Sequence, residues 1–308
     1  MAGVLGTTGM RISPRLPAIL LAVFVTLLWS TSWVLIKIGL YNSLPAITFA
    51  GLRYTLAFLC LVPFVVFNPA QRAALKHLTR KDYVKLGLLG VVYIFLTQGA
   101  MFLALAYLPA NMVSLLLNLT SIFVGAAGIF LLKERPSSLG WLGVGLAAAG
   151  IGVYFFPVSL PPGQVVGIGF GIFCLLMNVV SSLFSRAVNR TGTISPLIVT
   201  FVSMGVGSML LLIVGLAVQG AGKLIWTDWA IIAWMAIVNT ALAFTLWNRC
   251  LQVLTAIESS ILNSLMMPQI AILAYVFLGE TLTRRSIAGL VLVGLGTILV
   301  QLKPRKSM

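Results

Sequence analysis

The side chains that most often catalyse reactions or bind metals are few in this sequence, and they lie far apart. The acidic residues fall at or near the ends of predicted helices, and the histidine and the cysteines form no cluster. They are Asp82, Glu134, Asp228, Glu258, Glu280, His77, Cys60, Cys174 and Cys250. A metal site or a disulfide framework needs such residues at short, regular spacing. We therefore expect no catalytic residue, no metal and no other cofactor, and we predict that the protein is not an enzyme.

Uncharged polar and aromatic residues inside long apolar stretches are the better candidates for chemistry. In a bilayer such polar groups face the protein interior and often mark a substrate path. Asn and Ser can hydrogen-bond amino and carboxylate groups, and aromatic rings suit flat or apolar groups. We predict a substrate site formed by Trp29, Ser32, Trp33, Arg53, Tyr93, Thr97, Gln98, Asn118, Ser121, Asn178, Asn239, Trp247, Asn263 and Met267. Each polar side chain could instead join two helices, and each ring could pack in the core or against lipid.

Two basic residues lie within the first two predicted helices. Arg53 is about eight residues into its helix, roughly 12 Å along the axis at the usual rise per residue. That is deep for a side chain that reaches the membrane surface, so Arg53 could attract a substrate carboxylate or pair with helix-end carbonyl groups. Lys37 lies near the end of the preceding helix, where we expect it to snorkel to the interface.

The composition predicts that lipid surrounds these residues. Of the 308 residues, 60% are hydrophobic and only 8% are charged, with a mean hydropathy of +1.10. A soluble domain carries roughly 25% charged residues. The net charge of +15 would suggest nucleic acid in a soluble protein. Here the basic residues lie in short loops between apolar spans, which is the pattern that orients membrane proteins, so we expect no nucleic-acid partner.

Apolar segments and turn residues predict ten membrane-spanning helices. The spans are 17–39, 45–67, 83–107, 110–132, 138–156, 164–186, 196–219, 228–251, 256–279 and 285–302. The first resembles a signal peptide in its flanking charges but is long for one, so we interpret it as a helix of the mature protein. With both termini in the cytoplasm, most of the 20 Lys and Arg residues fall inside. Those outside are Lys37, Arg53, Lys223, Arg284 and Arg285.

An internal repeat relates the two halves of the chain. A shift of 146 residues lays 105–150 on 251–296 without a gap, so that Glu134 meets Glu280, Gly143 meets Gly289 and Gly150 meets Gly296. A unit of five helices is odd, so the second copy must cross the membrane in the opposite sense. Such inverted repeats are typical of transporters and place the substrate near the midplane between the halves. We predict repeats at 17–156 and 164–302, with cytoplasmic tails at 1–16 and 303–308.

The fifth helix of each predicted half is poor in polar residues and rich in glycine. Small residues let helices approach closely. We interpret these two helices as peripheral packing or dimer-contact elements, and we expect a monomer or a weak homodimer. The predicted fold is therefore an all-α integral membrane protein, with ten transmembrane helices in two inverted five-helix repeats around a central cavity.

Several segments resemble EamA-type proteins of the drug/metabolite transporter superfamily. They are residues 28–33 with the sequence Leu-Trp-Ser-Thr-Ser-Trp, the following Lys37, residues 49–54, and the Glu-to-Gly segments 134–143 and 280–289. The resemblance covers nearly the whole chain and implies ten helices in two inverted halves and export of small metabolites. Within the family the chain is similar to bacterial exporters of aromatic and other neutral amino acids, which implies a location in the bacterial inner membrane. Family substrates also include nucleobases and sugar phosphates.

Energy coupling has no obvious carrier in the sequence. Proton-driven transporters usually hold a carboxylate or a histidine inside the membrane, whereas His77 and the acids lie in loops or near helix ends. The glycines at 167, 169 and 171 lack the Lys-Ser/Thr pair of a phosphate-binding loop. We predict uniport or exchange without ATP, with an amino acid as the suspected substrate. Transport of a nucleobase, a sugar phosphate or a drug, or a channel or scaffold role, are the alternatives.

Overall fold

The computed structural model describes residues 15–120, 122–124, 138–155, 162–190, 193–251, 253–254 and 262–301. Across these residues the regular secondary structure is entirely helical. The helices are α1 (Arg15–Tyr41), α2 (Ala46–Val66), α3 (Pro69–Lys76), α4 (Arg80–Tyr107), α5 (Ala110–Asn118), α6 (Ser138–Phe155), α7 (Pro162–Arg190), α8 (Pro196–Gln219), α9 (226–251), α10 (Met266–Leu278) and α11 (Arg284–Gln301).

Each predicted span contains one of these helices, and five of the helices are long and apolar enough to cross a membrane. These are α1, α2, α4, α7 and α8. Parts of the spans predicted at 110–132 and 256–279 lie outside the described residues. The number of ten crossings therefore stays a prediction, while the all-helical membrane architecture is confirmed.

The short helix α3 was not predicted. The Asn68 side chain accepts hydrogen bonds from the backbone N–H groups of Ala70 and Gln71, and Pro69 occupies the first helical position. These residues form a standard helix start, and they lie between the spans predicted at 45–67 and 83–107. None of the α3 side chains is buried, so the helix lies on the surface between α2 and α4.

Glycines bring α2 and α8 into close contact and so fix the position of Arg53. A methyl group on Gly51 would lie 2.6 Å from Leu212 Cα, and one on Gly215 would lie 2.7 Å from Thr48 Cα. The main apolar cluster joins α2 to α1, α4, α5, α8, α9 and α10, and it includes the edge-to-face pair Phe49 and Phe102. Arg53, two residues after Gly51, is therefore held inside the protein on a closely packed helix.

The glycine-rich helices α6 and α11 pack against each other. A methyl group on Gly150 would lie 2.8 Å from the Gly289 carbonyl oxygen, and one on Gly296 would lie 2.5 Å from the Gly143 carbonyl oxygen. The two helices are thus antiparallel, and each contact is the image of the other under the 146-residue repeat. This reciprocity is the signature of a two-fold axis. The glycines that we interpreted as packing or dimer-contact elements close an interface within one chain.

The α6–α11 interface gives a direct stability prediction. Gly150→Ala should lower the free energy of unfolding by about 1–3 kcal/mol, because the added methyl group meets backbone atoms that cannot move aside. Gly152→Ala is the matched control, since a Cβ there meets no atom within 4 Å. Thermal unfolding of the purified variants in detergent measures the difference. Equal midpoints for the two variants would show that α6 and α11 are not closely packed in the protein.

Candidate functional site

Each predicted half contains a π-helical segment in its third span. The segment is Val91–Gln98 in α4 and Met235–Leu242 in α9. In each, a threonine hydroxyl donates a hydrogen bond to the carbonyl oxygen five residues earlier, from Thr97 to Val92 at 2.8 Å and from Thr240 to Met235 at 2.9 Å. The wider turn of a π segment often accompanies a functional site, because it redirects the neighbouring side chains.

Arg53 on α2 contacts the π segment of α9. Its Nε donates a hydrogen bond to Thr240 Oγ1 at 3.1 Å, and its guanidinium carbon lies 5.1 Å from the centre of the Tyr54 ring. Tyr93 on α4 packs against the main apolar cluster. Arg53 is only 3% exposed, and its Nη1 has no hydrogen-bond partner among the described residues. The contact of Arg53 is thus with a side-chain hydroxyl, and the guanidinium keeps an unused donor.

Asn239 attaches α1 to the same π segment. Its Nδ2 donates hydrogen bonds to the Leu28 carbonyl oxygen and, at 3.0 Å, to Thr31 Oγ1. Its Oδ1 is buried and has no hydrogen-bond partner within the described part of the chain. An unpaired acceptor in the interior costs about 1–3 kcal/mol, so its retention calls for an explanation.

Trp29 on α1 packs against the residues that follow the π segment. The centre of its ring lies 5.1 Å from that of Trp247 and 5.5 Å from that of Phe244. Its indole Nε1 is buried and has no hydrogen-bond partner in the described ranges. Trp29 and Arg53 therefore contact the stretch of α9 that begins at Asn239, and all three were predicted as site residues.

A second polar contact joins α1 to α10. Gln269 accepts a hydrogen bond from Ser30 Oγ at 2.9 Å and donates one to Thr26 Oγ1 at 3.4 Å. Gln269, Thr240 and Tyr54 were absent from the predicted site. They could have been found as polar residues inside apolar helices. A single sequence, however, does not show which helix face meets Arg53 or α1.

The other predicted site residues are more dispersed. Asn118 on α5 donates to Met267 Sδ on α10 at 2.9 Å, and Asn178 on α7 donates to Thr120 Oγ1 at 3.3 Å. Both pairs are contacts between helices, the alternative that the sequence left open. The Ser32 hydroxyl donates within its own helix to the Trp29 carbonyl oxygen.

Three of the remaining predicted residues have no polar contact with another described helix, and a fourth lies outside the described residues. Trp33 belongs to the apolar core, and Asn263 is exposed. Gln98 is half-buried and forms no hydrogen bond to another described residue. Ser121 lies outside the described residues.

Two charged residues hold the turn between α4 and α5, and we call this pair the turn clamp. Lys37 Nζ donates to the carbonyl oxygens of Leu105 at 2.9 Å and Leu108 at 3.0 Å. Glu280 accepts from the backbone N–H groups of Ala110 at 2.6 Å and Asn111 at 3.2 Å. A cation thus meets the carbonyl end of α4 and an anion meets the amino end of α5, as the helix dipoles favour.

The turn clamp corrects the expectation for Lys37. Its side chain does not snorkel to the surface, since it is 6% exposed and its ammonium group is hydrogen-bonded inside the protein. The last carbonyl groups of a helix have no partner in the helix itself. Because the turn to α5 is only two residues long, the α1 side chain can reach these carbonyls.

The group around Arg53 is suited to binding an anionic group. Within the described part of the chain no three His, Cys, Asp or Glu residues are placed to hold a metal ion. Arg53 forms no ion pair with an acid among the described residues. A buried cation with an unused donor attracts an anionic group, and Arg binds carboxylates well because of its planar fork of donors.

Comparison with known proteins connects this geometry to transport. The model of the EamA-like transporter family matches the chain twice, at residues 16–156 and 163–302. The uncharacterized transporter YvbV of Bacillus subtilis is 26% identical over 96% of this chain and 95% of its own. A probable amino-acid metabolite efflux pump of Salmonella typhimurium is 27% identical over 90% and 92%. A solved crystal structure with 18% identity has the same fold, with a TM-score of 0.66 over 93% of this chain and 98% of the other.

Proposed function

The chain belongs to the EamA-like transporter family, and from this premise we propose that it exports aromatic or neutral amino acids from the cytoplasm. Membership of the family implies a membrane location and a small-molecule substrate. The amino-acid assignment is supported by relatives from Salmonella typhimurium and Escherichia coli, each named a probable amino-acid metabolite efflux pump. The observation that carries it is the buried Arg53, whose free donor suits a carboxylate.

The proposed architecture is ten membrane crossings in two inverted halves. The antiparallel, reciprocal contact of α6 with α11 supports a two-fold axis perpendicular to the helices. Such an axis lies in the membrane plane, as inverted repeats require. The distribution of Lys and Arg supports cytoplasmic termini in a bacterial inner membrane. The use of the α6 and α11 glycines within one chain supports a monomer, with at most weak dimer formation.

The proposed mechanism is alternating access without ATP, as uniport or exchange. Arg53 is closed off from solvent in this conformation, so a substrate reaches it only after helices around α9 separate. The buried acid Asp228 lies in the first turn of α9 and is bonded to Asn42 and to the Ile225 N–H, so it serves as a helix cap. Among the described residues no acid pairs with Arg53, and a carrier whose substrate site lacks a proton-binding acid moves its substrate down the substrate's own gradient.

Counterflow in proteoliposomes tests this function. Vesicles that contain the purified protein are loaded with unlabelled phenylalanine, alanine, a nucleobase or a sugar phosphate, and the labelled compound is added outside. We expect labelled phenylalanine to accumulate transiently against unlabelled amino acid, without an imposed pH gradient. Accumulation of only a nucleobase or sugar phosphate would contradict the amino-acid assignment. Flux that is linear in concentration, without counterflow, would indicate a channel instead.

A further inference from the structure

Three buried polar atoms without partners lie around one stretch of α9. Arg53 Nη1 and Trp29 Nε1 are hydrogen-bond donors, and Asn239 Oδ1 is an acceptor. Across the described residues only one other side-chain atom is buried and unpaired in this way, Thr297 Oγ1 on α11. Native proteins leave few such groups, and each one is costly. Their concentration around α9 indicates that a bound molecule completes their hydrogen bonds.

Direct contacts connect the three side chains to about two helical turns of α9 and to the adjoining part of α1. Arg53 bonds to Thr240, which follows Asn239 in the chain. Asn239 bonds to the Leu28 carbonyl group, and Leu28 precedes Trp29. Trp29 packs on Phe244 and Trp247, which follow Thr240 by one and two helical turns. The two donors and the acceptor therefore come from α1, α2 and α9 where these helices contact one another.

We propose that Arg53 binds the carboxylate of the transported molecule and Asn239 Oδ1 accepts a hydrogen bond from its ammonium group, so that the site selects zwitterionic α-amino acids. The proposal rests on the transport function proposed above. Buried arginine without an acid partner leaves one uncompensated positive charge, which a carboxylate neutralises. The amide oxygen of Asn239 is unused and suits a positively charged donor.

The aromatic residues beside these groups suit the rest of such a substrate. Trp29, Phe244 and Trp247 form a contiguous aromatic surface on α1 and α9. Each of the three is partly buried. An apolar or aromatic side chain can pack against these rings, whereas a second charged group would lose its hydration there. The site therefore favours neutral amino acids over acidic or basic ones.

A series of competitors tests the recognition in the wild-type protein. Counterflow of labelled L-phenylalanine is measured with unlabelled phenylalanine, phenylalaninamide or 3-phenylpropionate outside, and the same series is run for alanine. The amide lacks the carboxylate and the propionate lacks the ammonium group. Each analogue should compete ~30-fold or more weakly than the amino acid, as expected when one partner of a buried charged contact is removed. Equal competition by the amide would overturn the role of Arg53, and equal competition by the propionate would overturn that of Asn239.

Arg53→Met tests the same role by a second route. Methionine fills a similar volume without charge, so the variant should unfold at the same temperature as the wild type or higher, because burial of an unpaired charge is lost. Phenylalanine should then compete no better than its amide. Lys85→Met is the control, since it removes a positive charge from an exposed position on α4 and should leave competition unchanged.

The results of these experiments distinguish failure of the proposed recognition by Arg53 and Asn239 from failure of the transport function. Unchanged preference for phenylalanine over its amide in Arg53→Met would overturn the proposal while transport stands. Transport of a nucleobase but of neither amino acid would also overturn it. Absence of counterflow for every compound, from folded wild-type protein, would overturn the transport function itself. If Arg53→Met does not fold, the wild-type competitor series alone decides the outcome.

Discussion

Glu280→Ala is expected to lower the free energy of unfolding by about 2–4 kcal/mol and to remove most of the counterflow. The carboxylate of Glu280 accepts hydrogen bonds from two backbone N–H groups in the first turn of α5, those of Ala110 and Asn111. The alanine variant leaves both groups without that partner. It also removes the negative charge that faces the buried Lys37. A buried cation that loses its counter-charge destabilises a protein strongly.

The effect on transport follows from what the turn clamp connects. Lys37 belongs to α1, and Glu280 follows α10, so both helices are tied to the turn between α4 and α5. The same two helices carry Trp29, Ser30 and Gln269, which lie at or beside the proposed site. Release of one end of this connection changes how α1 and α10 move together, and alternating access depends on such movements.

Thermal unfolding in detergent and phenylalanine counterflow in proteoliposomes measure the two consequences. Thr281→Ala is the matched control, because Thr281 is the next residue and its side chain is exposed. Glu280→Gln keeps one acceptor oxygen without the charge and should fall between Glu280→Ala and the wild type. If Glu280→Ala unfolds and transports like Thr281→Ala, the contacts of Glu280 contribute nothing to either property.

A double variant separates the two halves of the turn clamp. Lys37→Met should also destabilise the protein, because the carbonyl groups of Leu105 and Leu108 lose their donor. Residues that act through one structural unit show non-additive effects. The double variant Lys37→Met, Glu280→Ala should therefore lose less free energy of unfolding than the two single variants lose together. A loss equal to their sum would show that the two side chains act independently.

The helices were predictable from the sequence because bilayer thickness sets their length. Long uncharged segments and turn residues placed a helix at each predicted span, and the repeat singled out the pair that became α6 and α11. The surface helix α3 was missed, although Asn68 and Pro69 are a good start signal, because we searched for spans of membrane length. Length rules find helices that cross a bilayer and overlook short ones that lie on it.

The site was predictable in its residue types but not in its contacts. A search for polar residues in apolar helices found Arg53, Asn239 and Trp29, because any such group needs a place in the protein interior. The same search could not distinguish Thr240, which bonds to Arg53, from other threonines. Lys37 was misinterpreted for a related reason. Its position near a helix end suggested snorkelling, and only the packing of α1 on α4 reveals the carbonyl groups that bind it.

Thr240→Val is the sharpest test of how Arg53 is held. The hydroxyl of Thr240 accepts a hydrogen bond from Arg53 Nε and donates one to the Met235 carbonyl oxygen. Valine has nearly the same shape and can form neither bond. We expect Thr240→Val to lower the free energy of unfolding by about 2–4 kcal/mol. The variant loses a hydrogen bond to a charged group and leaves a guanidinium donor unpaired in the interior.

Thr97→Val supplies the matched comparison in the other half of the chain. Thr97 also donates to the carbonyl oxygen five residues earlier in a π segment, but its hydroxyl does not bond to Arg53. The variant should lower the free energy of unfolding by only about 0.5–1.5 kcal/mol, which is the usual net contribution of one hydrogen bond. Thermal or denaturant unfolding in detergent compares the two. Equal losses would mean that the bond between Thr240 and Arg53 adds nothing to stability.

The Arg53→Met background completes this comparison. Without a charge at position 53, Thr240→Val should lower the free energy of unfolding no more than Thr97→Val does. Only the hydrogen bond from Thr240 to Met235 then remains to be lost. The difference between the two backgrounds measures the coupling of Thr240 to Arg53. A large coupling, together with unchanged or higher stability of Arg53→Met alone, would show that Thr240 holds in place a cation that the fold itself does not need. Such a cation is retained for what it binds.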